Sequence, residues 1–263
     1  SFPTRRSSDL SVGRTDKYVI GGNNSYGYNY GDIFDRAELK YSGDSFMATA
    51  GYGKFKAGKI AGFDYTYTDA NGDEQTVSLA GTKTAYGVIE GRFGNGSAIG
   101  GYYNSFNTSG HDYNNYKRGT ELDYLWGAYA SLNFSKDWNL LANYERVNYN
   151  SNINSTVRGD EDSATVWIGR LTYGKAVMAT PKTWDAWVEY INAEDGAFIG
   201  GSTNSWRFGQ MDNIESWGAG IDYTFAKNAQ FQVMQSFASK LKDSNSDSKD
   251  PEEQTRAQFV FAF

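Results

Sequence analysis

Arg36, Glu38 and Lys40 stand two residues apart, as do Glu90 and Arg92. Spacing of two puts side chains on one face of an extended strand, so these charges form rows along a wall. Asp123, Glu145, Arg170, Glu189, Asp222 and Arg256 fall at the matching parity of other alternating segments. The set holds five bases (Arg36, Lys40, Arg92, Arg170, Arg256) and six acids. Such rows can line a water-filled path, or their opposed charges can knit neighbouring strands together. Near balance of sign predicts a weakly selective path. Little else in the sequence offers chemistry. The single His111 lies between Gly110 and Asp112 in a polar stretch, without a context that aims it at a nucleophile or a metal. There is no Cys, which removes disulfides, thiolate zinc sites and cysteine nucleophiles together. The glycine pairs at 21–22, 100–101 and 200–201 precede no helical pattern, so they are not phosphate loops. Asp69–Glu74 lacks the spacing of an EF-hand, and Asn71-Gly72 between the alternating runs 62–68 and 74–80 reads as a hairpin. Acids cluster at Asp160, Glu161 and Asp162, and again at Asp243, Asp247, Asp250, Glu252 and Glu253, where solvation is the simplest reading. No catalytic residue, metal or cofactor is expected, and the chain does not read as an enzyme.

The composition narrows the class. A chain of 263 residues carries 20 Tyr, 16 Phe and 7 Trp, yet its mean hydropathy is −0.63 and its pI about 4.9. A net charge of −6 argues against nucleic acid, whose phosphates need a basic face. No run approaches the roughly 18 apolar residues of a membrane-spanning helix. Aromatics diluted by polar neighbours are expected where every strand has one oily and one wet face, as in a transmembrane β-barrel.

The elements that position the charged rows follow from alternation. Across Glu121–Ser135, Leu122, Tyr124, Trp126, Ala128, Ala130, Leu132 and Phe134 oppose Asp123, Gly127, Tyr129, Ser131 and Asn133. Trp184, Ala186, Val188 and Tyr190 oppose Asp185, Trp187 and Glu189, and Trp217–Phe225 repeats the pattern. About twelve strands are predicted, at 11–20, 32–41, 45–56, 84–93, 97–107, 120–135, 137–149, 163–175, 182–193, 213–226, 228–241 and 254–263. Short turns at 42–44, 94–96, 135–137, 179–181 and 226–228 alternate with long polar connections. That rhythm is the one of an up-and-down barrel with short turns at one rim and loops at the other. Phe93, Trp138, Trp184 and Trp217 are expected beside short turns as an aromatic girdle, and Tyr102, Tyr144 and Tyr190 nearer the long loops.

The chain ends Gln258-Phe259-Val260-Phe261-Ala262-Phe263. Phe259, Phe261 and Phe263 resemble the terminal signal by which outer-membrane proteins are recognised by the barrel assembly machinery. Val12-Gly13-Arg14, Asp32–Ala37 and the aromatic strands resemble the C-terminal barrel of outer-membrane porins of diderm firmicutes, which join an S-layer-homology domain to a large barrel. That resemblance implies passive diffusion of small hydrophilic solutes and ions, contact with outer-membrane lipid, a homotrimer whose interface no residue here identifies, and a barrel larger than the twelve strands visible. A structural anchor or surface adhesin is the alternative. Ser1–Leu10 instead resembles a translated sequencing adapter. It is set aside as a scar, with 11–263 as the barrel domain, N-terminally truncated.

Overall fold

Alternation of apolar and polar residues gives each segment two unlike faces, and pairing such segments in register gives a sheet with the same two faces. The computed structural model describes residues 7–29, 31–56, 65–68, 74–77, 81–107, 122–155, 159–199, 206–207, 211–243 and 249–262. Its strands are β1 (Ser7–Val19), β2 (Gly31–Ser42), β3 (Phe46–Phe55), β4 (Tyr65–Thr68), β5 (Glu74–Val77), β6 (Lys83–Arg92), β7 (Ala98–Asn107), β8 (Leu122–Asn133), β9 (Trp138–Ser155), β10 (Gly159–Gly174), β11 (Trp184–Ala193), β12 (Ile214–Ala226), β13 (Ala229–Lys240) and β14 (Thr255–Phe261). Twelve of them form one sheet in the order β1-β2-β3-β6-β7-β8-β9-β10-β11-β12-β13-β14, and β4 and β5 form a separate hairpin. Every pairing is antiparallel, and in the large sheet each strand pairs with the next one along the chain once the β4–β5 hairpin between β3 and β6 is passed over, so the fold is an all-β up-and-down meander.

All twelve expected strands are present, with ends moved by a few residues. β9 and β10 run furthest past expectation, to Ser155 and from Gly159. β1 begins at Ser7, and Asp9 and Leu10 pair with Lys40 and Leu39, so the strand enters the stretch that the sequence reading set aside. The turn expected at 179–181 is the longer connection 175–183. There Gly174 takes φ +83° and the Lys175 N–H donates to the Trp184 carbonyl. The hairpin expected at 62–80 exists as β4 and β5 with Thr68 opposite Glu74, while Asn71-Gly72 lies outside the described residues.

The sheet curls round an interior. One cavity is lined at once by Arg36 and Glu38 of β2, Thr49 of β3 and Tyr86 of β6, and by Asn139 of β9 and Arg170 of β10. Among the described residues β1 and β14 are not paired with each other. Outward side chains are exposed, among them Leu39, Ile89, Trp167, Ile221 and Phe259, whereas inward neighbours such as Glu38, Val88, Glu90, Val166 and Ile168 are buried.

The interior has two zones. Toward the long-connection end it is filled by Tyr18, Phe34, Phe55, Phe106, Leu122, Leu125, Val147, Val166, Ile168 and Ile191. Tyr18 and Phe34 stack with ring centroids 4.1 Å apart, and Phe34 meets Phe55 at 4.9 Å. The short-turn half is polar, with Lys40, Asn139, Thr172, Asp222, Gln230 and Gln232 on the inner wall. The expectation of one oily and one wet face therefore holds in the short-turn half only.

Candidate functional site

The inward carboxylates are built into repeated rows. Glu38, Gly51 and Tyr86 face one another across β2, β3 and β6. Glu90, Gly100 and Tyr129 do so across β6, β7 and β8, and Glu145, Gly127 and Tyr102 across β9, β8 and β7. Strands lie about 4.8 Å apart, so the outer members of a row are about 10 Å apart, a gap that a tyrosine spans only where the middle position has no side chain. Each phenol crosses its glycine and donates to the carboxylate: Tyr86 to Glu38 at 2.7 Å, Tyr129 to Glu90 at 2.6 Å and Tyr102 to Glu145 at 2.5 Å. Glu189 repeats the row with Gly218, but here the aromatic comes from the β11–β12 connection. Trp206 covers Gly218 and gives its indole N–H to Glu189.

A strap formed by residues 20–29, the β1–β2 connection, turns into the interior and ties to these same acids. Asn24 Nδ2 donates to Glu90 Oε2 at 3.0 Å, and the Tyr26 hydroxyl to Glu189 Oε1 at 2.5 Å. The Tyr26 N–H donates to Asn143 Oδ1 at 3.0 Å. Asn29 donates to Glu145 and to the Ala197 carbonyl, and accepts from the Ile199 N–H at 2.9 Å. The Tyr28 hydroxyl donates to the Met211 carbonyl, and its ring meets Phe198 edge-on at 5.6 Å. The strap thus reaches β6, β9 and β11 from one edge of the sheet. Burying a carboxylate is costly unless hydrogen bonds or a cation satisfy it. Here Glu90, Glu145 and Glu189 are at most 1% exposed and each accepts at least two hydrogen bonds from phenol, indole, amide or guanidinium.

Between the strap and the polar wall lies a cavity of about 720 Å³. Its ionisable lining, tyrosines apart, is Arg36, Glu38, Lys40 and Arg170. Arg36 Nη1 is 2.9 Å from Glu38 Oε2. Arg170 lies over the Trp187 ring at 4.4 Å, with Nη1 3.6 Å from Glu189 Oε2. The backbone of Gly21, Gly22 and Gly27 forms part of the cavity's other side. Hydrogen-bonding groups and charges on a wall of paired strands can accompany a hydrated solute.

Of the sequence-predicted residues, Arg36, Glu38, Lys40 and Arg170 come together at this cavity. Glu90 and Arg92 pair with each other at 2.7 Å, and Glu145 and Glu189 hold the strap. Asp222 lies on the inner wall opposite Asp185, and Arg256 on β14 opposite Met234, donating to Gln258 at 2.8 Å. Asp123 departs from expectation. A bulge between Leu122 and Tyr124 interrupts the alternation, which sends Leu122, expected outside, to 0% exposure in the interior. Phe93, Trp138 and Trp184 stand exposed at the short-turn end. Trp217 does not: its partners are Tyr190 and Phe237, near the long connections, because β12 starts from a long connection. Tyr102, expected outside, points inward to Glu145. Phe259 and Phe261 face outward, while Phe263 and His111 lie outside the described residues. Part of the acidic connections has a structural use. Asp243 accepts the Asp195 N–H, Asp250 the Leu241 N–H, and Glu253 the Ser239 N–H.

The strap, the tyrosine rows and Trp206 went unread in the sequence. The signal available for the rows was an inward-parity glycine in each of three aromatic strands, Gly51, Gly100 and Gly127.

No known family's sequence profile matches the chain, and no curated protein matches it. Among solved structures, the chain is similar to a porin refined at 1.8 Å, with a TM-score of 0.47 and 12% identity over 99% of this chain and 78% of that one.

Proposed function

We propose that the chain is an outer-membrane β-barrel of the porin kind, passing small hydrophilic solutes and ions by passive diffusion along its interior, without enzymatic chemistry. The observation that carries this reading is an outward belt free of charge. Outward charges stand at the long-connection end, at Arg14, Asp35, Lys54, Lys83, Arg146 and Glu215, and others lie in the short turns, at Asp44, Lys136, Asp137 and Lys227. Between them the outward positions are Leu39, Tyr52, Ile89, Tyr103, Trp126, Leu132, Leu140, Trp167, Trp184, Ile221, Tyr223 and Phe259 with small residues between, and these large ones are at least 36% exposed. On β12 the belt runs from Trp217 to Phe225. At about 3.4 Å per residue and a barrel-like tilt near 40°, that is about 20 Å of height, close to the roughly 25 Å apolar band of such barrels. A continuous apolar surface of this size is unfavourable in water and required in lipid. Outer-membrane lipid is then the partner of the belt, and Phe259 and Phe261 on the outward face of β14 suit recognition by the assembly machinery.

The mechanism is passage past the strap through the polar cavity, with the strap setting the size limit. The apolar half of the interior favours a second reading, a barrel that anchors the envelope without conducting. Recording from the refolded chain in a planar bilayer separates the two. Stable ohmic steps support the conduit, and a silent bilayer despite a heat-modifiable folded barrel supports the anchor.

A further inference from the structure

We propose that the path prefers anions, because the ion pairs on the strand walls leave their cations more exposed to the interior than their carboxylates. This rests on the conduit reading and names the solute class it favours. Three ion pairs of the strand walls share one polarity of burial, whereas Arg207 and Glu253, which join the β11–β12 and β13–β14 connections, have the reverse, at 2% and 40%. The side chains of Arg36 and Glu38 are 25% and 11% exposed, those of Arg92 and Glu90 29% and 0%, and those of Arg170 and Glu189 23% and 0%. The rows explain the asymmetry. A tyrosine or tryptophan donor lies over each of these carboxylates from the interior side, so the guanidinium is the member left at the water. Glu145, the fourth acid, is fully buried beneath Tyr102 and Asn29. Lys40 adds a cation that lines the cavity and forms no ion pair among the described residues, although Asp9 stands opposite it on β1. Counting formal charge alone gave near balance; burial separates the signs. An ion in the cavity meets Arg36, Lys40 and Arg170 against the single carboxylate Glu38, with Glu90, Glu145 and Glu189 buried behind the lining, and an excess of Arg and Lys at a constriction is the arrangement that favours anions. Asp222 and Asp185 are the opposing groups. They lie beyond Arg170 and are not part of the cavity lining.

The test is the reversal potential of single channels from the full chain in a phosphatidylcholine bilayer under a tenfold KCl gradient. The expected sign is that of chloride preference. Lys40 has no carboxylate to orphan, so its variants leave the wall intact. Lys40→Glu should lower the chloride-to-potassium permeability ratio by roughly threefold, the effect of reversing one lining charge averaged over ions about 10 Å from it along the path, after screening. Lys40→Arg should keep the ratio. Channels that are unselective or prefer potassium overturn the anion preference while the conduit stands, as does a ratio unmoved by Lys40→Glu. A folded barrel without channels overturns both.

Discussion

Substituting Gly127 by alanine tests whether the tyrosine rows hold the interior together. A Cβ at Gly127 would lie 2.7 Å from Tyr102 Cε2 and closer still to Cζ and the hydroxyl, well inside van der Waals contact. Tyr102 cannot yield freely, because its hydroxyl donates to Glu145 at 2.5 Å and accepts from Asn143 at 3.2 Å. Displacing the ring removes a hydrogen bond from a fully buried carboxylate, a loss of about 1.5–3 kcal/mol, and overpacking adds about 1–3 kcal/mol. Gly127→Ala should therefore destabilise by about 3–5 kcal/mol, read as the urea midpoint of the barrel refolded in detergent. The same change at Gly169, where an added Cβ meets nothing within 4 Å, should cost under about 0.5 kcal/mol. Tyr102→Ala supplies the decisive background, since without the ring the clash disappears. There Gly127→Ala should cost under about 1 kcal/mol, giving a coupling of about 2 kcal/mol or more. Equal cost of Gly127→Ala in both backgrounds would refute the row as an interacting unit.

Asn29→Ala removes the amide that Glu145 accepts and the oxygen that the Ile199 N–H donates to; single-channel conductance should rise, and an unchanged conductance would show that the strap does not limit the path. Glu253 offers a pH test. Desolvation pulls its pKa upward, but hydrogen bonds from Ser236 and Ser239, with Arg207 3.6 Å away, outweigh this and hold it below the ordinary carboxylate range. A depressed folded pKa contributes stability that is present above the unfolded value and lost as pH falls below about 4.3 through the folded one. Glu253→Gln should accordingly flatten the fall in stability on acidification below pH about 4.3, measured by thermal unfolding. Single-tryptophan variants test the belt: brominated lipid should quench a protein retaining only Trp167, which is 47% exposed, and spare one retaining only Trp187, which is 8% exposed.

Alternation made the strands readable because an antiparallel sheet with unlike faces must repeat every two residues. The register Trp184↔Tyr223, Ala186↔Ile221 and Val188↔Ala219 shows one oily face carried from strand to strand. Parity alone put Glu38, Glu145 and Glu189 on the inward face, where Glu145 and Glu189 are buried in the wall and only Glu38 lines the cavity. It said nothing of what covers them, since that depends on residues two strands away, such as Tyr102 above Glu145. The strap was opaque for a related reason. Gly21–Asn29 is polar and glycine-rich, like a solvated loop, and turns inward only because buried carboxylates accept from Asn24, Tyr26 and Asn29. Leu122 was misplaced because a bulge shifts parity by one residue with no mark in composition.

Strand number connects the filling of the interior to what it can pass. Barrels of about eight strands fill with side chains, and those of sixteen or more leave an aqueous channel. The twelve strands of the large sheet among the described residues fall between these numbers. One half of this interior is narrowed by packed aromatics such as Tyr18, Phe34 and Phe55, and the other by the strap to a cavity of about 720 Å³. Tyrosine suits such an interior, since its ring fills space like a core residue while its hydroxyl satisfies a carboxylate that would otherwise need water. Trp206 does the same for Glu189 where β13 presents Ser236 in place of a ring. Glu90, Glu145 and Glu189 are thereby spent inside the wall, and the charged groups left at the cavity are Arg36, Lys40 and Arg170 with Glu38.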